Sequence, residues 1–70
     1  MNRYGYALLF NAGVHDARDL DEAAEILLRA RAQGFTNVRC DVNTSLTTRR
    51  PMTADEQDQL IETALKGAGS

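Results

Sequence analysis

Two adjacent arginines, Arg49 and Arg50, stand in the stretch NTSLTTRRPMTADE at residues 43–56, directly after a run of hydroxyl side chains. A guanidinium group pairs with phosphates and carboxylates, and hydroxyls such as those of Thr47 and Thr48 commonly add hydrogen bonds to the same ligands. The stretch therefore has the residue types for gripping a nucleic acid or another protein. The alternative without a function is an edge strand followed by a solvated connector.

The charge balance favours a protein partner over a nucleic acid. The net charge of −2 gives no global attraction to phosphates, and acidic residues follow the two arginines within two helical turns. Arginine is enriched at the energetic centres of protein interfaces, and an exposed strand edge offers a backbone template for a partner strand. We expect the partner-binding surface to contain Arg39, Asp41, Thr47, Thr48, Arg49 and Arg50. Nucleic-acid binding through the Arg49/Arg50 loop is the alternative.

The residues that most often perform catalysis are scarce. His15 and Asp16 are neighbours in a predicted loop, and adjacent residues seldom reach the geometry of a general base with its orienting partner. Cys40 falls on the inward side of a predicted strand, where it serves as a small hydrophobic residue. One Cys and one His cannot complete a four-ligand zinc site. We therefore expect no catalytic residue, metal, cofactor or small-molecule substrate, and a protein that is not an enzyme.

A phosphate site after the first strand is also disfavoured. The loop there contains Gly13 but neither a G-x-G-x-x-G nor a G-K-[ST] motif. The helix that follows opens with Asp19, Asp21 and Glu22, whose carboxylates would repel an anion from the helix N-terminus. These acidic residues instead predict a self-capped helix.

The hydrophobic pattern of the first half predicts a strand, a loop and a helix. Residues 3–10 alternate in side-chain size and predict the strand, and residues 11–18 predict the loop. Asp19 with Glu22 predicts the start of the helix as a capping box. Gly34 predicts the left-handed end of the helix, closed as a Schellman motif.

The second half of the chain repeats this order. Residues 36–42 alternate cleanly and predict a second strand, and Thr53 with Glu56 predicts the capping box of the last helix. A strand–helix–strand passage of this length suits a right-handed parallel crossover. Two strands make a poor sheet, so either residues 45–49 turn back as a third strand or a second protomer supplies one.

The predicted fold class is α/β: a small single-layer sheet of two or three strands with two helices on one face, in the order β-α-β-(β)-α. Residues 1–66 form one domain, and residues 67–70 form a flexible C-terminal tail rich in glycine. A chain of 70 residues buries only about 60% of the surface of its unfolded state, so its stability is marginal. Since a single cysteine excludes an internal disulfide, a partner or a second copy is the expected source of further stability.

We therefore expect a small non-enzymatic protein-binding module, either a homodimer or an adaptor or inhibitor of a larger complex. No apolar run near the N-terminus is long enough for a signal peptide or a membrane span, which indicates a cytoplasmic protein without membrane contact. Small, compact, acidic proteins are often made by phages and mobile elements to block host defence complexes. Such an origin is the narrower form of the hypothesis.

Overall fold

A computed structural model describes residues 4–68 of the chain. These residues form a four-stranded antiparallel sheet in the order β2-β1-β3-β4, together with two helices. The elements in chain order are β1 (Tyr6–Phe10), β2 (Gly13–Ala17), α1 (Leu20–Ala32), β3 (Arg39–Asn43), β4 (Arg49–Pro51) and α2 (Ala54–Ala68). Arg3 of the first predicted strand and residues 69 and 70 lie outside the described residues, whereas Gly67 and Ala68 belong to α2.

The mixed α/β class is confirmed, but the predicted strand count and order are wrong. The element order is ββαββα, with four strands instead of two or three. The predicted parallel crossover between the first strand and the strand after the helix is also wrong, because β1 and β3 are antiparallel neighbours. The helix instead joins β2 to β3. These two strands run parallel to each other because each is antiparallel to β1, which lies between them.

A tight hairpin places β2 where the sequence predicts a loop. Asn11 and Ala12 connect β1 to β2, and their φ angles of 51° and 57° are both positive. A two-residue loop of this geometry is the type I′ turn, whose twist matches that of the flanking strands. The chain therefore reverses at once and pairs Phe10 with Gly13 through Tyr6 with Ala17.

The predicted ends of α1 are confirmed. The side chain of Asp19 accepts a hydrogen bond from the backbone N–H of Glu22 at 2.9 Å. At the other end Gly34 has a φ of 97°, and the N–H of Phe35 donates to the carbonyl of Ala30 at 3.1 Å. This is the Schellman closure, in which a left-handed glycine lets the chain satisfy the last helical carbonyls.

Both helices pack on the same face of the sheet. Leu8 of β1 and Leu60 of α2 are the largest fully buried side chains of the described residues. Because side chains alternate along a strand, β1 directs Leu8 to this face and Ala7 to the other. The core cluster contains Leu8, Ala17, Ala23, Ala24, Leu27, Val42, Met52, Leu60 and Ala64. No helix within residues 4–68 has the length and apolarity to cross a bilayer.

The left-handed conformation of Ala12 gives a first prediction. A Cβ atom is disfavoured at positive φ, and glycine is the preferred second residue of a type I′ turn. Ala12→Gly should therefore raise the free energy of unfolding by about 0.5–1 kcal/mol, after the greater unfolded-state entropy of glycine is included. Urea denaturation followed by circular dichroism measures the change.

Gly34→Ala is the reciprocal control, because it places a Cβ at a φ of 97°. We expect it to lower the free energy of unfolding by about 1 kcal/mol. Equal destabilisation by both substitutions would contradict the left-handed assignment of Ala12.

Candidate docking surface

One face of the sheet carries no helix. Within residues 4–68 both helices contribute to the core on the Leu8 side, and no other helix or strand is present to cover the opposite side, here called the open face. Strand alternation and register assign its residues. They are Gly5, Ala7 and Leu9 from the β1 segment, Val14 and Asp16 from β2, Arg39, Asp41 and Asn43 from β3, and Arg49 and Pro51 from β4.

A broad concavity of about 780 Å³ lies at one end of the open face. The two residues before β1, Tyr4 and Gly5, and the strand β2 form one wall, and the loop of residues 44–48 forms the other. Large apolar side chains on its rim are exposed: Leu46 by 92%, Val14 by 50% and Tyr4 by 42%. The same rim carries the charged side chains of Asp16 and Arg49. Exposed apolar side chains next to charged ones are typical of a protein docking site.

The two adjacent arginines point to opposite faces. Arg49 pairs with Asn43 in the register of β3 and β4, which places it on the open face. Its guanidinium takes part in no ion pair among residues 4–68. Arg50 pairs with Val42 and therefore lies on the helix side, next to α2. Of the two adjacent arginines predicted to bind a partner, Arg49 is therefore available for a partner, whereas Arg50 is paired with a residue of the chain itself, Glu56.

Arg50 joins β4 to α2 through Glu56. Its Nη1 and Nη2 atoms donate to Oε1 and Oε2 of Glu56 at 2.7 and 3.0 Å, a bidentate pair. The same carboxylate accepts from the N–H of Thr53 at 2.9 Å, while the Thr53 hydroxyl accepts from the N–H of Glu56 at 3.2 Å. The predicted capping box is confirmed, and Arg50 extends it. The geometry gives Arg50 a structural role and does not favour it as a partner contact.

These bonds lower the pKa of the Glu56 carboxyl from its ordinary value of 4.5 to about 2. The hydrogen bonds from Arg50 are the largest cause, and the backbone N–H of Thr53 adds to them. The same contact raises the pKa of Arg50. The ionised form of Glu56 therefore stabilises the folded state.

The depressed pKa of Glu56 gives a prediction about pH. Since the folded-state pKa lies below the unfolded one, the stabilisation is complete above about pH 4.5 and is lost as the pH falls towards about 2. Glu56→Gln retains a side chain suited to a capping box but removes the charge. The stability difference between wild type and Glu56→Gln, measured by urea denaturation, should be largest near neutral pH and should shrink towards pH 2.

Glu25→Gln is the matched control for this measurement. It removes a carboxylate from the exposed Glu25–Arg29 pair of α1, whose atoms lie 3.6 Å apart. An exposed pair of this kind contributes little, so its stability difference should stay small at every pH. An equal and constant difference for both variants would contradict the assignment of Glu56.

Arg39 and Asp41 form an ion pair on the open face. Nε of Arg39 donates to Oδ1 of Asp41 at 3.1 Å, and the two side chains are 64% and 5% exposed. Asp41 lies between Ala7 and Pro51 in the register, so its carboxylate is buried although it points away from the helices. Arg39 is available for contact with a partner. Asp41 is not directly available while this arginine covers it.

Removing Arg39 should therefore cost more than removing an exposed ion-pair partner. Arg39→Ala removes the hydrogen-bond donor of the Asp41 carboxylate, which lies between Ala7 and Pro51, and we expect a loss of about 1–2 kcal/mol in the free energy of unfolding. Arg29→Ala removes one member of an exposed pair and should cost less than about 0.5 kcal/mol. Denaturant unfolding of both variants at neutral pH checks the order, and equal losses would contradict the role given to Asp41.

The loop of residues 44–48 is built by its own hydroxyl groups. The Thr48 hydroxyl lies 2.7 Å from that of Thr44 and 2.6 Å from that of Ser45. The Ser45 oxygen also accepts from the backbone N–H groups of Thr47 and Thr48. Thr48 therefore shapes the loop, and Thr47 is exposed. A third strand at residues 45–49 is one of the two alternatives predicted from the sequence, and the strand that pairs with β3 here is Arg49–Pro51.

Sequence reasoning missed Leu46, the most exposed large hydrophobic residue of the described chain. The hydrogen-bonded hydroxyls on both sides of it hold the loop and leave this side chain at the rim of the concavity. A signal was present in the sequence, since Leu46 stands within a run of hydroxyl residues and has no apolar residue at strand spacing or within three positions on either side.

The candidate catalytic residues are not brought together. His15 and Asp16 are consecutive in β2, so their side chains lie on opposite faces, and the imidazole stacks on Phe10 with ring centroids 4.4 Å apart. Burial raises the pKa of the Cys40 thiol, and the Asp41 carboxylate raises it further. In the described part of the chain no group of three His, Cys, Asp or Glu residues could hold a metal ion.

Comparison of the chain with protein-family models, with curated proteins and with solved structures found no match.

Proposed function

We propose that this chain is a non-enzymatic protein-binding module that docks on another protein through the open face of its sheet. The observation that carries the proposal is the position of Leu46, 92% exposed at the rim of a concavity on that face. An exposed leucine at a loop tip adds nothing to the stability of the isolated chain, because its side chain is not buried. The same leucine is a suitable anchor for a hydrophobic pocket in a partner.

The composition of the core supports the same proposal. Four of the nine residues of the core cluster are alanines, and Leu8 and Leu60 are the largest fully buried side chains of the described residues. Alanine buries little apolar area, so a core of this kind contributes modest stability. Covering the open face with a partner would add apolar burial that the chain itself does not supply.

The charges of the open face indicate which kind of partner surface fits it. Arg49 takes part in no ion pair within the described residues and lies close to Leu46 on the wall of the concavity. A guanidinium at an interface pairs best with a carboxylate. The partner surface that fits is an apolar pocket for Leu46, with an Asp or Glu beside it for Arg49.

Nucleic-acid binding, the alternative hypothesis, receives less support. It relied on Arg49, Arg50 and Arg39 acting as a cluster. Carboxylates neutralise two of these three cations, at Glu56 and at Asp41, and the strand geometry points Arg50 away from the others. One available arginine on a chain with a net charge of −2 is a weak phosphate site.

Site-specific photo-cross-linking in the native cell tests the proposal. A photoreactive amino acid at position 46 should give a discrete protein adduct, whereas the same group at position 29, on the exposed face of α1, should not. Excess wild-type chain should compete for the adduct, and a Leu46→Asp chain should not. Equal adducts from both positions would contradict the proposal, and an adduct removed by nuclease would favour the nucleic-acid alternative.

The identified partner then permits a measurement of affinity. Leu46→Asp and Arg49→Glu should each weaken binding by about tenfold or more, since each removes an anchor from the centre of the contact. Arg29→Glu makes the same charge change outside the open face and should leave the Kd unchanged. Wild-type affinity in both open-face variants would overturn the assignment of this surface.

A further inference from the structure

The sheet has two edge strands, and they differ in what they offer to another strand. The order β2-β1-β3-β4 leaves β2 and β4 at the edges. Two bonds establish which backbone groups point outwards. The N–H of Asn43 donates to Gly5 between β3 and β1, and the N–H of Met52 donates to Cys40 next to β4. Because hydrogen-bonded and non-bonded pairs alternate in antiparallel sheets, these bonds determine the direction of every other N–H and carbonyl.

The outer edge of β4 is blocked. Arg50 directs its backbone groups towards β3, so Arg49 and Pro51 face outwards. Proline has no N–H to donate, and the carbonyl of Pro51 already accepts a hydrogen bond from Nη1 of Arg50 at 3.2 Å. With three residues, β4 is also short. A proline on a short strand is a known protection of a sheet edge.

The outer edge of β2 has no such protection. Gly13, His15 and Ala17 direct their backbone groups towards β1, so Val14 and Asp16 direct theirs outwards. None of these four outward groups has a partner among residues 4–68. The strand contains no proline and no lysine, and it pairs with β1 in an unbroken register. It is an open template for another strand.

We propose that a second copy of the chain pairs with β2 in antiparallel orientation, about a two-fold axis at His15. Val14 of each copy then lies opposite Asp16 of the other. Each of the two pairs exchanges two backbone hydrogen bonds, so that all outward groups of both strands are satisfied. The two sheets become one continuous sheet, with both open faces on the same side. This inference does not rest on the proposed docking function, because strand pairing uses the outward backbone groups of Val14 and Asp16, whereas docking uses side chains of the open face.

The register follows from the residues of β2. An axis at Asp16 would place two carboxylates directly opposite each other, which is destabilising. An axis at Val14 would set Asp16 opposite Ala12, a turn residue with a positive φ, so half of the bonds would be lost. The axis at His15 overlaps the full length of Gly13–Ala17 and separates the carboxylates.

Symmetry identifies the occupant as a second copy. Val14 and Asp16, whose backbone groups point outwards, lie on either side of the central residue His15. A two-fold axis through His15 therefore brings the outward groups of one copy opposite those of the other. Because the outer edge of β4 is blocked, another strand can pair only with β2. Two copies that pair through β2 therefore form a closed dimer instead of a fibre. The contact of one strand from each copy is small, and we therefore expect an affinity in the micromolar range.

A proline at position 14 tests the dimer. Val14→Pro removes an outward N–H and leaves the hydrogen bonds to β1 in place. The substitution gives β2 an outward proline like Pro51 of β4. It should weaken dimerisation by about tenfold or more in sedimentation equilibrium from micromolar to millimolar concentration. Val14→Ala keeps the N–H and should dimerise like the wild type. Equal dimerisation by the proline and alanine variants, or a wild type that stays monomeric at millimolar concentration, overturns the proposal.

Amide hydrogen exchange tests the same contact in the unaltered chain. In a monomer the N–H groups of Val14 and Asp16 face solvent and exchange fast, whereas those of His15 and Ala17 are protected by β1. In the dimer the first two should become protected as the concentration rises. Fast exchange of both at millimolar concentration, with His15 and Ala17 still protected, would rule out strand pairing at this edge and would leave the docking function of the open face untouched.

Discussion

The two-residue period of the antiparallel strand is the constraint on which the rest of this structure depends. It sends consecutive side chains to opposite faces and consecutive backbone groups to opposite neighbours. In β4 it separates Arg49 from Arg50, and in β2 it separates His15 from Asp16. Residues that read as clusters along the chain are therefore divided between a helix-covered face and an open face. A short sheet with both helices on one side converts this alternation into two chemically distinct surfaces.

The covered face is held together by interactions between elements as well as by apolar packing. Arg50 reaches from β4 to Glu56 in the first turn of α2, and Glu56 also closes the capping box with Thr53. A strand edge and a helix start are thus joined by one carboxylate. The same arginine also donates a hydrogen bond to the carbonyl of Pro51. Arg50 and the carbonyl of Pro51 are thus committed to bonds within the chain, and the groups that the described residues leave available include the guanidinium of Arg49 at the rim of the concavity and the outward backbone groups of β2.

Local signals in the sequence predicted local structure well. The capping residue Asp19, the glycine that ends α1 and the Thr53–Glu56 box are all confirmed, since each depends on atoms no more than five residues apart. β2 was missed for a related reason. Its residues, GVHDA, show no apolar alternation, and the turn before it contains Asn-Ala in place of the usual Asn-Gly. Nothing in the local pattern distinguishes such a strand from a loop.

By itself the sequence determined the mixed α/β class, both helices with their caps, and the approximate position of β3, because periodicity and capping act over a few residues. The sequence predicts β3 at residues 36–42, and the strand lies at Arg39–Asn43. The tertiary structure alone decided the pairing of β1 with β3, the insertion of β2 at the edge, the burial of Asp41 and the commitment of Arg50 to Glu56. These features join residues that are far apart in the chain or on different elements. Their energies depend on which strands become neighbours, and strand order is a property of the whole sheet.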